Sequence, residues 1–219
     1  MIFEYFPVGP IGANCYIVGC DETKEAAVVD PGAEDSKILR ALSRLGVSAA
    51  YIINTHGHLD HIGANGEVKA ATGARLLIHR LDAGMLTSAE ANLSAFAGQR
   101  VTSPAADAFL EDGQVLRVGR VELRVIYTPG NTSGGVCLLA TELDDAGRSR
   151  ALSARRLLTG DTLFAGSVGR TDFPGGSFES LIRSIKEKLM PLGDDVEVYP
   201  GHGPSTTIGE EREGNPFLF

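Results

Sequence analysis

The chain has 219 residues, which is enough for one large domain or two small ones and for a hydrophobic core that needs no disulfides. Hydrophobic residues make up 43% of it and charged residues 22%, proportions that exclude a disordered chain. The formal net charge of −8 argues against a nucleic-acid partner, because proteins bind polyanions through clustered lysine and arginine. The one basic run, at 148–156, follows two aspartates and is more simply a solvated hairpin turn.

The absence of targeting signals and the pattern of cysteines indicate in which cellular compartment the protein lies. The first ten residues have no basic region followed by an apolar run, and no window approaches the roughly 18 apolar residues that a membrane helix needs. The cysteines, Cys15, Cys20 and Cys137, are odd in number, lack the spacing of metal ligands and lie in or beside β-rich apolar runs. We expect buried free thiols, a reducing compartment, and hence a cytoplasmic protein with no membrane partner.

Short β-rich runs alternate with helical patterns along the chain. Strands are predicted at 1–6, 14–19, 26–29, 49–54, 75–78, 115–118, 121–127, 135–140, 156–159 and 196–199. Helices are predicted at 35–45, 62–71 and 177–190, where apolar residues recur at helical spacing. Segment 87–107 is small, polar and poorly periodic, so we expect a mobile flap there. No repeat or linker marks a boundary, which predicts a single domain over residues 1–219.

The most informative stretch is HGHLDH at 56–61, directly after the strand predicted at 49–54. Its imidazoles and carboxylate would pack poorly in a core, whereas a divalent cation binds such groups tightly. His56 and His58 can point the same way from extended chain and share one ion. Asp60 and His61 would then face a neighbouring position. This division predicts two adjacent ions, which in hydrolytic two-metal sites lie about 3.5–4 Å apart.

Three later loops each follow a predicted strand and carry polar residues that a core would reject. They are TPGNT at 128–132, GDT at 160–162 and GHG at 201–203. Asp161, with two anionic oxygens, is suited to bridge a metal pair. His202 lies between two glycines, which give the backbone freedom to reach the same ions. We expect the strand ends to converge on one edge of a layered fold.

The ordered motifs VVDPG, THGHLDH, TPGN, GDTLF and PGHG cover nearly the whole chain. Together they resemble the metallo-β-lactamase fold superfamily, specifically its glyoxalase II-like branch of hydroxyacylglutathione hydrolases. GSVGRTDFPGG at 166–176 and ERxxNPF at 211–217 resemble the short form of that branch, which lacks the carboxy-terminal helical domain. The resemblance implies an α/β (α+β) chain folded as a four-layer αββα sandwich, with a two-metal site on one edge.

The resemblance also implies how the ligands divide. In the family pattern one ion is held by His56, His58 and a histidine of the TPGHT loop, and the other by Asp60, His61 and His202. Asp161 bridges them. Zinc is the expected metal, with iron or manganese as alternatives. Two such cations would bridge a water and present hydroxide to a carbonyl, while Asp60 and Asp161 fix the ions and offset their charge.

The sequence departs from the family pattern at one ligand, because TPGHT reads TPGNT and Asn131 replaces the histidine. A carboxamide oxygen is a weaker donor to zinc than imidazole, so we expect an under-occupied first site and impaired activity. Asn131 is either the natural residue of a divergent member or an engineered replacement. The integrity of every other motif favours the second explanation.

The activity implied by the resemblance is metal-dependent hydrolysis of a thioester of the S-acylglutathione type, by a monomer or homodimer. Arg170, in the glycine-rich loop after Asp161, can pair with a carboxylate of this small-molecule partner or stabilise its own loop. A mononuclear iron persulfide dioxygenase, with a GRTDF loop similar to 169–173, stays open. So does a catalytically silent metal- or thioester-binding module. A β-lactamase is less favoured, because in the family Asp161 and the lack of a ligand cysteine mark the hydrolase branch.

Overall fold

The computed structural model describes residues 1–144, 147 and 155–219, so most of the basic run at 148–156 lies outside the described residues. A first sheet contains, in spatial order, strands β1 (Ile2–Val8), β2 (Ala13–Gly19), β3 (Glu25–Val29), β4 (Ser48–Ile53), β5 (Arg75–His79) and β6 (Ala108–Leu110). The pairs from β1 to β3 are antiparallel, and those from β3 to β6 are parallel. The carboxyl ends of β3 to β6 therefore lie at one edge.

A second sheet also has six strands, but its pairs are antiparallel except for one. Its strands are β7 (Val115–Val118), β8 (Val121–Tyr127), β9 (Val136–Glu142), β10 (Arg156–Gly160), β13 (Glu197–Pro200) and β14 (Thr206–Thr207). Their spatial order is β14-β13-β10-β9-β8-β7, and β10 pairs with β13 in parallel. The short strands β11 (Leu163–Phe164) and β12 (Ser167–Val168) form a separate hairpin after β10.

The helices are α1 (Asp35–Leu45), α2 (Leu59–Ile62), α3 (Asn65–Thr72), α4 (Ala83–Thr87), α5 (Phe178–Ser184) and α6 (Ile208–Gly214). The helix predicted at 177–190 continues from α5 through a π turn and a 3₁₀ turn. The helix predicted at 62–71 is present as α3 but begins three residues later, at Asn65, because the chain breaks between α2 and α3. There the amide of Ala64 donates to the carbonyl of Pro31 (2.8 Å) instead of continuing one helix.

Alternation along strand β2 shows how the layers stack. Cys15 and Ile17 pack in one apolar cluster with the helices α1 and α3, whereas Tyr16 and Val18 pack in another between the two sheets. A third cluster joins the outer face of the second sheet to α5 and α6. These three cores separate four layers, so the predicted αββα sandwich is confirmed.

Every strand predicted from the sequence is present, with ends shifted by one or two residues at most. The sequence missed β6, β11, β12 and β14, which are too short to show a pattern.

Cys15, Cys20 and Cys137 are buried and free, as predicted. Residues 88–107 contain no helix or strand, and their mobility stays a prediction. Among the described residues, no helix combines the length and apolar character needed to cross a membrane.

Candidate metal centre

The polar loops predicted to carry ligands meet at one edge of the sandwich. The parallel pairing of β10 and β13 brings Asp161 and His202 to the same edge, where the amide of Gly201 donates to the carbonyl of Gly160 (2.7 Å). A Cβ atom on Gly201 would lie 2.2 Å from Asp161 Oδ1, so a residue with a side chain does not fit there. The loop after β4 supplies the HGHLDH residues from the facing sheet.

Two overlapping groups of ligand atoms form the centre. Potential ligand atoms of Asp60, His61 and His202 lie within 4.8 Å of one another, and so do those of His56, His61 and Asp161. His202 Nε2 is 3.2 Å from Asp60 Oδ2, and His61 Nε2 is 3.7 Å from the same oxygen. We call these five residues, with Asn131, the metal centre.

Asp161 lies between the two groups. Its Oδ2 is 3.9 Å from His56 Nε2, while its Oδ1 is 3.5 Å from His61 Nε2 and 3.7 Å from His202 Nε2. A carboxylate with one oxygen near His56 and the other near His61 and His202 is suited to bridge two ions.

His58 lies beside both groups but belongs to neither. Its ring centroid is 4.7 Å from that of His56 and 5.8 Å from that of Phe173. The division in which His56 and His58 share one ion therefore stays a prediction. In the structure His56 is grouped with His61 and Asp161 instead.

Unsatisfied buried atoms test whether the centre suits a metal. Among the described residues, the buried side-chain nitrogens and oxygens that lack a hydrogen-bond partner are His56 Nε2, His61 Nε2, Asn131 Oδ1 and Asp161 Oδ1. Leaving such a group unpaired typically costs about 1–3 kcal/mol. Because these nitrogen and oxygen atoms can ligate a metal and lie close together, a divalent cation fits the site.

Asn131 is oriented by its amide nitrogen. Its Nδ2 donates to the carbonyl oxygen of Arg170 (2.9 Å), which leaves Oδ1 as the unpaired atom. The residue is buried. The carboxamide is therefore positioned with its one possible ligand atom free, although this atom is a weaker zinc donor than imidazole nitrogen.

The histidines of the centre differ in protonation. Burial lowers the pKa of His56 well below its usual value and, with His61 nearby, lowers the pKa of His58 to about 4. Burial opposes the charged form of His61 too, but the carboxylates of Asp60, Asp161 and Asp30 outweigh it and raise that pKa to about 10. His56 and His58 are therefore neutral at pH 7, the form that binds metals.

Asp30, which the sequence analysis placed in the VVDPG motif without a role of its own, orients two of the imidazoles. Its buried carboxylate accepts hydrogen bonds from the Thr55 amide (2.7 Å) and hydroxyl (2.6 Å), and its Oδ2 is 3.0 Å from His61 Nδ1. Because the Thr55 hydroxyl donates to Asp30, it accepts from His56 Nδ1 at 3.1 Å. Both rings thus turn Nε2 towards the centre, as outer partners of metal-ligating histidines do.

Asp82, which sequence reasoning missed, joins the loops that carry His56 and Asn131. Its buried carboxylate accepts hydrogen bonds from the Gly57 amide (3.1 Å), the Thr132 hydroxyl (2.7 Å) and the Gly134 amide (2.7 Å). These partners are distant in sequence, and no local motif marks Asp82. It became recognisable only from the structure.

A cavity of about 870 Å³ opens beside the metal centre and is lined by Asp60, Asp161 and His202, among others. Arg170, the predicted substrate-binding residue, also lines it. The guanidinium makes two hydrogen bonds to Asp172 (2.9 and 2.8 Å) and lies 3.6 Å from the centre of the Phe173 ring. Arg170 is thus at the cavity but already paired with a carboxylate.

Comparisons with known proteins agree with this geometry. Residues 8–202 match the sequence model of the metallo-β-lactamase superfamily. The chain is 36% identical to the hydroxyacylglutathione hydrolase GloC of Haemophilus influenzae, over 100% of this chain and 98% of GloC. Its fold is similar to the crystal structure of the BLEG-1 B3 metallo-β-lactamase (TM-score 0.88, 34% identity, 99% of both chains). It is also similar to TTHA1623 in a di-iron-bound form (TM-score 0.80, 34% identity, 97% of this chain and 98% of that one).

Proposed function

This chain belongs to the metallo-β-lactamase superfamily, whose members are generally hydrolytic enzymes, and we propose that it hydrolyses thioesters of the S-acylglutathione type. The observation that carries the proposal is the concentration of unpaired buried ligand atoms at the edge of the sandwich. The name of GloC, a hydroxyacylglutathione hydrolase, supports the substrate class. A thiolate leaves readily, so the reaction does not require a strong general acid.

We propose two divalent ions, zinc in the first instance, held by His56, His58, Asp60, His61, Asn131, Asp161 and His202. When bound, such ions supply a water of lowered pKa as nucleophile and a counter-charge for the carbonyl oxygen of the substrate. We propose that the ion held by Asn131 is bound more weakly than the other ion. Iron is the alternative metal, and the di-iron form of TTHA1623 supports it.

The chain's own residues prepare this site in three ways. Asp60 and Asp161 place negative charge where cations bind, and they line the cavity that receives the substrate. Asp30 and Thr55 fix the rings of His61 and His56, so the ligand nitrogens need no reorientation. A substrate that covers the apolar walls of the cavity would displace water from the site and so strengthen electrostatic interactions with the reacting carbonyl.

The test combines metal analysis with turnover of S-lactoylglutathione. Protein loaded with zinc should bind up to two ions per chain and hydrolyse the thioester. Asp161→Asn should reduce both metal content and rate by at least about tenfold, because one anionic ligand of the centre becomes neutral. Asp21→Asn, the same change on the exposed surface, is the matched control and should alter neither.

Other outcomes identify the alternatives. One bound iron, with oxygen consumption in the presence of a persulfide, would establish the dioxygenase. Metal binding without turnover of any thioester would leave a silent binding module. Either result rejects the proposed hydrolysis.

A second candidate activity is hydrolysis of a β-lactam, favoured by the 34% identity to the BLEG-1 B3 metallo-β-lactamase over nearly the whole chain. A chromogenic cephalosporin, assayed with the same zinc-loaded protein, decides between the two. We expect kcat/KM for the thioester to exceed that for the cephalosporin. The reverse order would make β-lactam hydrolysis the principal activity.

We further propose a cytoplasmic protein, monomeric or homodimeric, with a small-molecule thioester as its partner. The three buried free thiols support a reducing compartment. The net charge of −8 supports the absence of a nucleic-acid partner. Light scattering during gel filtration measures the oligomeric state.

A further inference from the structure

The cavity beside the metal centre has apolar walls. The apolar lining residues include Ile11, Leu93, Phe96, Val168 and Phe173. Ile11 comes from the turn between β1 and β2, and Leu93 and Phe96 come from segment 88–107. The charged and ligating groups, Asp60, Asp161 and His202, lie at one part of the surface. Apart from His58, Ser167 and Arg170, the other lining residues are apolar and offer contacts for hydrocarbon rather than for charge.

Two of these apolar side chains are largely exposed at the cavity. Phe96 has 80% of its surface exposed, and Ile11 has 54%. Isolated exposed apolar residues are common, but here they adjoin Leu93 and other apolar walls of one concave site. A ligand that covers them removes apolar surface from water, which favours binding of a hydrocarbon group.

Hydrogen bonds within and around segment 88–107 hold Leu93 in its position at the cavity. Leu93 has a left-handed backbone (φ +72°), which is unfavourable for a leucine and must be held by its surroundings. The buried neighbours Asn92 and Ser94 supply that support. Asn92 Nδ2 donates to the carbonyls of Met85 (3.0 Å) and Val101 (2.9 Å), and the Ser94 amide donates to Asn92 Oδ1 (3.0 Å).

The same segment is joined to the metal-binding motif. The carbonyl of Asn92 accepts a hydrogen bond from the Leu59 amide (3.1 Å), next to Asp60. This hydrogen bond anchors the apolar wall at Asn92 beside the groups that would bind the metal. Leu93 and Phe96 line the same cavity as Asp60 and Asp161, so a substrate whose carbonyl reaches the centre can contact them with its neighbouring atoms.

Charge decides which arm of a thioester lies against these walls. Besides His58 and His202, Arg170 is the basic residue of the lining, and its Nε and one of its Nη atoms already donate to Asp172. A glutathione arm carries two carboxylates and an ammonium group, which lose solvation against apolar walls without gaining partners. An acyl chain or ring has no such cost. The acyl group is therefore the arm that fits.

We infer that the preferred substrate carries a large apolar acyl group, of about six or more carbons or an aromatic ring, held between Leu93 and Phe96 on one side and Val168 and Phe173 on the other. This inference rests on the proposed thioester hydrolysis and names its substrate class. It makes Phe96 and Ile11 specificity-determining residues. It also predicts that S-lactoylglutathione, with its small hydroxylated acyl group, is a poor substrate.

Binding of unreactive thioethers tests the inference without turnover. Calorimetry would compare S-methyl- and S-hexyl-N-acetylcysteamine on the zinc-loaded and the metal-free protein. We expect the hexyl compound to bind about tenfold tighter or better in both forms, because added methylenes bury apolar surface. Phe96→Ser and Ile11→Ser should each remove most of this preference. Phe219→Ser, which changes an exposed phenylalanine outside this cavity, is the matched control and should retain it.

Turnover then separates the inference from the proposed function. In the parent protein, we expect kcat/KM for S-hexanoylglutathione to exceed that for S-lactoylglutathione by about tenfold or more. In Phe96→Ser, we expect the two kcat/KM values to be nearly equal. A preference for hexyl in binding without turnover of either thioester would retain the apolar site and reject the hydrolase. Equal binding of methyl and hexyl compounds, or an unchanged preference in both serine variants, would overturn the inference.

Discussion

At the scale of single residues, we propose that Asn131 determines how strongly the first of the two proposed ions is held. Its amide nitrogen is bound to the Arg170 carbonyl, and its free oxygen is a neutral ligand. Whether it is natural or engineered, the chemical consequence for zinc is the same. Imidazole nitrogen is the better donor, so the position limits affinity.

We predict that Asn131→His raises the affinity for the more weakly bound zinc ion by about 10- to 100-fold, because an imidazole replaces an amide oxygen. Competition with a chromogenic chelator measures this affinity, and S-lactoylglutathione hydrolysis measures the consequence for rate. Asn131→Ala provides the comparison in which no ligand remains. Equal zinc affinity in the parent and the histidine variant would contradict the prediction, and an unchanged rate would reject the idea of an engineered knock-down.

Asp82 matters because one carboxylate satisfies three donors. In Asp82→Asn, one oxygen becomes an NH₂ group and faces backbone or hydroxyl donors, so at least one of these hydrogen bonds is lost in a buried place. We predict a loss of about 1–3 kcal/mol in the free energy of unfolding of the metal-free protein. Urea titration measures it. The exposed Asp21→Asn should keep the parent midpoint, and a midpoint equally unchanged in Asp82→Asn would refute the role.

The sequence was sufficient to predict the candidate metal ligands, but not the residues that hydrogen-bond to their loops and orient them. His56, Asp60, His61, Asp161 and His202 were candidates because imidazole and carboxylate in glycine-rich loops lack a simpler explanation, and the structure brings them together. Asp30 was visible only as part of the VVDPG motif, which did not indicate its hydrogen bonds to Thr55 and His61. Asp82 was hidden because its hydrogen-bond partners come from two other loops, and such contacts leave no local pattern.

At the scale of elements, the parallel pair β10 and β13 sets the spacing between Asp161 and His202. The sequence suggested that the glycines beside His202 give conformational freedom. The structure separates their roles, because Gly203 has a left-handed backbone (φ +77°) while Gly201 is required by close approach to Asp161. Long strands were predictable from their apolar pattern, whereas the break between α2 and α3 depends on a tertiary hydrogen bond to Pro31.

We predict that Gly201→Ala displaces Asp161 and His61, since the new methyl group would lie 2.2 Å from Asp161 Oδ1 and 2.9 Å from His61 Cε1. Zinc content, measured by mass spectrometry after dialysis, should fall below that of the parent. Gly84→Ala is the control, because its added methyl group meets no atom within 4 Å. Full zinc occupancy in Gly201→Ala would show that the loop relaxes without disturbing the centre.

At the scale of the whole molecule, the metal centre joins the two sheets. Its candidate ligands come from the loop after β4 in the first sheet and from the ends of β10 and β13 in the second. The unpaired buried atoms at this junction reduce stability when no ion is bound. Metal binding should therefore stabilise the native arrangement of both sheets, because the unfolded chain does not bring these ligands together.

We predict that zinc raises the melting temperature of the metal-free protein in proportion to the logarithm of its free concentration. Each site contributes about 2.7 kcal/mol when free zinc is 100 times its dissociation constant. Scanning calorimetry in a zinc buffer measures the shift. Magnesium at equal concentration should produce a much smaller one, because the ligand set is rich in imidazole, which zinc favours and magnesium does not. Asp161→Asn should lose most of the zinc-dependent shift. A melting temperature independent of zinc, in a parent protein that remains folded, would mean that these buried donors do not form a metal site.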